Sequence, residues 1–119
     1  MFTEAVLDHF RRPRNPGELR DATHSIEVSN PVCGDILRLA VRMDDGRIAE
    51  ARFLCRGCTT AIAAASFLTE RLHGRTPHEA RGITAESISA DLGNLPPATF
   101  HGAQLAEDAL RALLAKLPK

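Results

Sequence analysis

The sequence predicts an α+β domain: a three-stranded antiparallel sheet packed against several helices. Three observations carry this. Apolar residues fall at helical spacing up to Arg12, alternate with polar ones between His24 and Phe53, and return to helical spacing after Gly57. Asp45-Gly46 marks a tight turn between two of the alternating runs. The order is then helix, strands, helices, which argues against alternating βαβ units.

Along the chain, Val6, Leu7 and Phe10 define the apolar face of a first helix, with Thr3 placed to cap it and Glu4 suited to its positive end. Arg12-Pro13-Arg14-Asn15-Pro16-Gly17 stops that helix, because each proline lacks an amide donor and disfavours helix before itself. A stiff, exposed loop to Leu19 is expected. Ile26 and Val28, then Leu37, Leu39 and Val41, then Ile48 to Phe53 give three short strands. Asn30 to Asp35 forms the loop between the first two. Ala61, Ala65, Leu68 and Leu72 make one buried stripe on a second helix that Gly74 ends. Thr76-Pro77-His78-Glu79 is a capping box opening a brief helix, and another short one starts near Thr84. Leu95-Pro96-Pro97 forces extended chain. Leu105, Ala109, Leu110, Leu113, Leu114 and Leu117 then form the face of a last helix.

At 119 residues, 44% of them apolar, the chain suits a single domain spanning 1–119. Folding at this size removes roughly two-thirds of the unfolded surface from water, so the core needs neither metal nor disulfide. Fifteen basic and fifteen acidic side chains cancel, which removes the broad electrostatic drive toward nucleic acid or an anionic membrane. Aromatics are 4%, with no Trp or Tyr, too few for a base-stacking platform. No run approaches a membrane span, and the first residues do not read as a secretory signal. Three cysteines are too few for a disulfide scaffold. A soluble cytoplasmic protein with reduced thiols is the expectation.

Five residues carry candidate chemistry: Cys33, Asp35, Cys55, Cys58 and His101. Cys33 and Asp35 share the loop after the first strand. Cys58 stands where the third strand gives way to a helix, and a helix start is electropositive, which favours the thiolate that binds metal. Cys55-Arg56-Gly57-Cys58 supplies half a tetrahedral site, and the rest must come from distant chain. The plainer readings stand beside these. Cys55 shares strand parity with Ala51 and Phe53, which equally suits core filling. His101 before a helix suits a cap, and Asp35 after glycine suits a turn. His9, His24, His73 and His78 read as surface or capping positions. Cys55 and Cys58 also have the layout of a reversible thiol pair, though without the usual βαβ setting. No general base in a pocket is identifiable, so nothing catalytic is expected.

Several segments together resemble a known family. Phe2 to Phe10, running into Pro13-Arg14-Asn15-Pro16-Gly17, is similar to the opening of the IscU/NifU-type iron–sulfur cluster assembly scaffolds. Asn30-Pro31-Val32-Cys33-Gly34-Asp35 resembles their first ligand loop, and Gly57-Cys58 with Thr60-Ala61-Ile62-Ala63 their second. Leu95-Pro96-Pro97, His101 and Leu105 to Ala109 resemble their third. The resemblance implies a NifU N-terminal or IscU-like scaffold or carrier, not an enzyme, holding a labile [2Fe–2S] cluster, or zinc when isolated. It implies a cysteine desulfurase as sulfur source, an iron donor, and apo-protein recipients as partners. By position Cys33 and Cys58 match thiolate ligands, Asp35 the carboxylate that keeps the cluster labile, and His101 the nitrogen ligand.

Two departures stand out. The family places a cysteine directly after that histidine, where this chain has Gly102. Its Leu-Pro-Pro-Val-Lys segment, read by a dedicated chaperone, is here Leu95-Pro96-Pro97-Ala98-Thr99, without the charged anchor. Cys55 is a sulfur the family pattern lacks. One ligand set is therefore Cys33, Cys55 and Cys58 with His101 or Asp35; the other is Cys33, Asp35, Cys58 and His101. A zinc-holding, non-assembling partner or regulator of the assembly machinery is the alternative function.

Overall fold

A computed structural model of the chain describes residues 2–31 and 34–117. The elements run α1 (Glu4–Arg11), β1 (His24–Asn30), β2 (Asp35–Asp44), β3 (Arg47–Arg56), α2 (Thr59–Leu72), α3 (Pro77–Ala80), α4 (Ala85–Asp91) and α5 (His101–Lys116). The strands form one antiparallel sheet in the order β1-β2-β3, the expected α+β arrangement.

Asp45 and Gly46 both adopt positive φ, 52° and 77°, the requirement of a tight hairpin turn whose twist matches its strands. Just beyond it the register slips: Met43 pairs with Ile48 but Arg42 with Glu50, leaving Ala49 unpaired. That extra residue shifts the strand's parity and puts both Ile48 and Ala51 on the buried face. There they join Ile26, Leu37, Leu39, Val41 and Phe53. Helices cover this face, and the core lies between.

Helix α2 is the centre of the molecule. The spacing predicts one buried stripe, yet Ala61, Ala63, Ala64, Ala65, Phe67, Leu68 and Leu72 are buried together with Thr60, Ser66 and Thr69. The helix packs against α1, β3 and α5 at once, and its four small alanines allow those neighbours to approach. The buried face of α5 is as expected along Leu105, Ala109, Leu110 and Leu113, with Leu117 buried past its end and Leu114 half-buried.

Helix α1 corrects the sequence reading. Val6 is buried, but Leu7 is half-buried and Phe10 is 40% exposed. The second buried residue is His9, which the sequence places at the surface. Its Nδ1 lies 2.8 Å from Ser66 Oγ on α2, and its ring meets Phe67 edge-on at 5.7 Å between centroids. The imidazole is admitted because α2 offers it a hydroxyl partner, which periodicity alone does not reveal. The segment after α1 also departs from a free loop. Phe53 N–H donates to Asn15 O and Gly17 N–H to Phe53 O, so residues 15–17 close the outer edge of β3. His73, exposed and the C-cap of α2 as expected, also accepts the Ala51 N–H at 3.1 Å on the same edge. The expected Thr76–Glu79 capping box forms, and the short helix expected near Thr84 opens on a second box, Thr84 with Ser87, that the sequence reading did not include.

Candidate metal centre

Three chain segments that are far apart in sequence meet at one end of the sheet. Asp35 is the first residue of β2, paired with Asn30 of β1, rather than a free turn residue. The preceding Gly34 turns the chain with a φ of 74°. Cys58 is the N-cap of α2, its Sγ accepting the Ala61 N–H at 3.4 Å. His101 is the first residue of α5, a helix whose N-cap, Phe100, provides no side-chain cap.

Their donor atoms converge. Cys58 Sγ lies 3.5 Å from His101 Nε2, and His101 Nε2 lies 4.0 Å from Asp35 Oδ2. One ligand atom from each of the three falls within 4.8 Å of the others, the one such metal-competent cluster among the described residues. Bond lengths of about 2.3 Å to sulfur and about 2.0 Å to nitrogen put two tetrahedral ligands about 3.5 Å apart, which is the Cys58–His101 separation. The Asp35–His101 gap is about 0.5 Å wider than that.

The surroundings explain why the cluster favours a cation. Asp35 is buried, and its Oδ2 has no hydrogen-bond partner among the described residues. A buried carboxylate oxygen without a donor is costly unless a positive ion meets it. Gly57 lets the chain pass over this carboxylate: a Cβ there would lie 2.9 Å from Asp35 Cγ. His101 is about one-third exposed and Cys58 is exposed, so the cluster opens to solvent on the sulfur side. Soft thiolate, imidazole and carboxylate together suit zinc or an iron–sulfur centre.

Cys55 is not brought into the cluster. It lies on β3 opposite Leu37, with the parity of Phe53 and Ala51, and packs against the hydrophobic core. Burial, with the nearby charges of Asp35 and Cys58, pushes its thiol up to about 12. Cys33 lies outside the described residues. Gly57 and Gly102 are the residues whose part in the site sequence reasoning missed, since glycine at a close approach carries no chemical signal of its own.

Comparison with known proteins gives the same picture. A family profile described as the NifU-like N terminal domain matches residues 1–119. The chain is 42% identical over 111 residues to iron-sulfur cluster assembly scaffold protein IscU 1 of Archaeoglobus fulgidus, covering 93% of this chain and 72% of that protein. It is 38% identical over 118 residues to the scaffold protein IscU of Escherichia coli K12, covering 96% and 91% respectively. Among solved structures, FiSufU of the thermophile Fervidobacterium islandicum AW-1 superposes with a TM-score of 0.77 at 21% identity, over 95% of this chain and 96% of that one. A NifU-like N-terminal protein of Brucella abortus gives 0.75 at 17% identity, over 95% and 91%. These last two likenesses speak for the fold. The profile and the curated relatives place the chain, over essentially its whole described length, in the NifU-like N-terminal domain family.

Proposed function

We propose that this protein is a scaffold or carrier in iron–sulfur cluster assembly, holding a labile [2Fe–2S] cargo at Cys33, Asp35, Cys58 and His101. The observation that carries the reading is the buried Asp35 Oδ2, without a hydrogen-bond partner among the described residues, close to Cys58 Sγ and His101 Nε2. The names of curated relatives such as the IscU assembly scaffold proteins of Archaeoglobus fulgidus, Haemophilus influenzae and Escherichia coli support it. Chemically, the arrangement supplies one exposed thiolate position, one imidazole and one carboxylate at an open corner, a set that grips iron yet leaves it reachable. Carboxylate oxygen is a harder donor than sulfur, so its presence weakens the hold on a sulfide-bridged centre, which suits transfer rather than storage. The chain turns over no substrate by itself in this reading. A cysteine desulfurase supplies sulfur, an iron donor the metal, and apo-protein recipients take the product in a cytoplasmic setting that keeps the thiols reduced. The Leu95 to Thr99 segment lacks the charged anchor of chaperone recognition, so no chaperone step is included.

The test is anaerobic reconstitution with ferrous iron, cysteine and a desulfurase. Visible sulfur-to-iron charge-transfer absorption is expected, and its loss in Cys33→Ser and in Cys58→Ser. Absence of the absorption in the parent chain, or its survival in both variants, overturns the reading.

A second reading rests on the donor set: one sulfur, one nitrogen and one oxygen within 4.8 Å also suit zinc. A zinc-holding partner or regulator of the machinery would be purified with stoichiometric zinc that iron and sulfide fail to displace.

A further inference from the structure

Position 102 follows directly on the ligand candidate His101, and it is where the first turn of α5 touches the first turn of α2. The contact is made by backbone. A Cβ built on Gly102 would lie 2.9 Å from Ala61 N, 2.9 Å from Thr60 C and 3.0 Å from Thr60 Cγ2. Two of these three atoms are main chain of a helix whose surrounding residues are buried, so they cannot swing aside. The same Ala61 N–H is the group that donates to Cys58 Sγ. A side chain at 102 would therefore crowd the same amide that holds Cys58 Sγ, and His101, one residue away, stands 3.5 Å from that sulfur.

We propose that Gly102 is a positioning residue: its missing side chain seats α5 on α2, sets the reach from His101 to Cys58, and closes this position to any side-chain ligand. A cysteine at 102 spreads the site instead of completing it. The inference rests on the reading that Asp35, Cys58 and His101 hold the metal-containing cargo.

Cobalt(II) serves as the probe, since its visible bands report ligand geometry and thiolate number. Gly102→Ala and Gly102→Cys are each expected to bind cobalt at least ~10-fold more weakly than the parent, with shifted d–d bands. In the metal-free variants, the Ala61 amide and His101 ring resonances move. Ala63→Gly, which loosens α2 away from the contact, controls for general destabilisation and leaves cobalt affinity and bands unchanged. Should Gly102→Cys fail to fold, Gly102→Ala, alone or with Thr60→Ser to relieve the Cγ2 contact, carries the test. The proposal is overturned if Gly102→Cys binds cobalt as tightly as the parent with added sulfur-to-cobalt absorption. It is also overturned if Ala63→Gly loses as much affinity as Gly102→Ala. A parent chain that binds no cobalt overturns the site reading itself. The packing claim is then judged on the metal-free spectra alone, where unmoved Ala61 and His101 resonances refute it.

Discussion

The Asp35 carboxylate occupies the space in which a side chain on Gly57 would begin. The would-be Cβ meets Asp35 Cγ at 2.9 Å, Oδ1 at 3.1 Å and Cβ at 3.2 Å, so rotating the carboxylate alone does not relieve the contact. Gly57→Ala must push β2 and the β3–α2 junction apart or drive Asp35 from its buried place. The expected cost is about 1–3 kcal/mol, the range for overpacking a tight site. Cobalt affinity falls as well, because one donor is displaced. Urea denaturation with and without metal measures both.

Asp35 pays for its place at the site with stability. A buried carboxylate oxygen that no donor among the described residues meets is a defect in the metal-free fold. Replacing it by Asp35→Ala removes the defect together with the ligand. The metal-free variant is expected to be as stable as the parent or more so by roughly 1 kcal/mol, while its affinity for divalent metal falls at least ~10-fold. Equal metal affinity in the two proteins, read by calorimetric titration, would remove Asp35 from the site.

What the sequence discloses about this protein divides by range. The Thr3 cap, the Asp45-Gly46 turn and the Thr76–Glu79 capping box are decided within four residues, and each forms as read. The sequence leaves Cys55 open between ligand and core filler, and its parity with Phe53 agrees with where the structure packs it, against the core. The failures are all contacts between distant segments. Phe10 reads as core but is left exposed, while His9 reads as surface but finds Ser66, 57 residues away. Residue type nominates Asp35, Cys58 and His101 as donors, and the family resemblance pairs them as ligands, but no local rule brings β2, α2 and α5 to one corner. Gly102 stands out in the sequence only as a missing cysteine and Gly57 only as a motif neighbour of Cys58; the packing need of each for a missing Cβ exists only once the opposing atoms are in place.

The Cys55 thiol gives the fold an alkaline limb. Its value is raised from 9.0 to about 12 by burial first, then by the charges of Asp35 and Cys58. The folded protein therefore binds that proton more tightly than the unfolded chain. Stability from this source is fully present below about pH 9 and is lost as pH rises toward 12. Cys55→Ala is expected to flatten this part of the pH–stability curve. In a Cys33→Ser background at pH 8, iodoacetamide should label Cys58 and spare Cys55 until denaturant is added. Rapid native labelling of Cys55 would contradict its placement.

His9 supplies the acidic counterpart. Burial, reinforced by the Arg14 charge, lowers its value from 6.5, against the opposing pull of Glu70 and Asp8. The folded state thus prefers the neutral ring; in the tautomer with Nδ1 unprotonated it accepts the Ser66 hydroxyl, whose Oγ accepts the Arg14 N–H at 2.8 Å. Protonation turns Nδ1 into a donor, and the Ser66 hydroxyl proton loses its acceptor. Because the folded value lies below the unfolded one, this stability is present above about pH 6.5 and is lost as pH falls through the folded value. The first region to loosen should be the tie between α1, residues 12–17 and α2. Hydrogen-exchange protection of the Arg14 amide, corrected for intrinsic rate, is expected to drop between pH 7 and pH 5 before the protection of Leu68 does. His9→Gln, neutral throughout, should cost about 1–2 kcal/mol at pH 7 through poorer fit and remove the pH dependence of Arg14 protection. If that dependence persists in the variant, His9 is not its source.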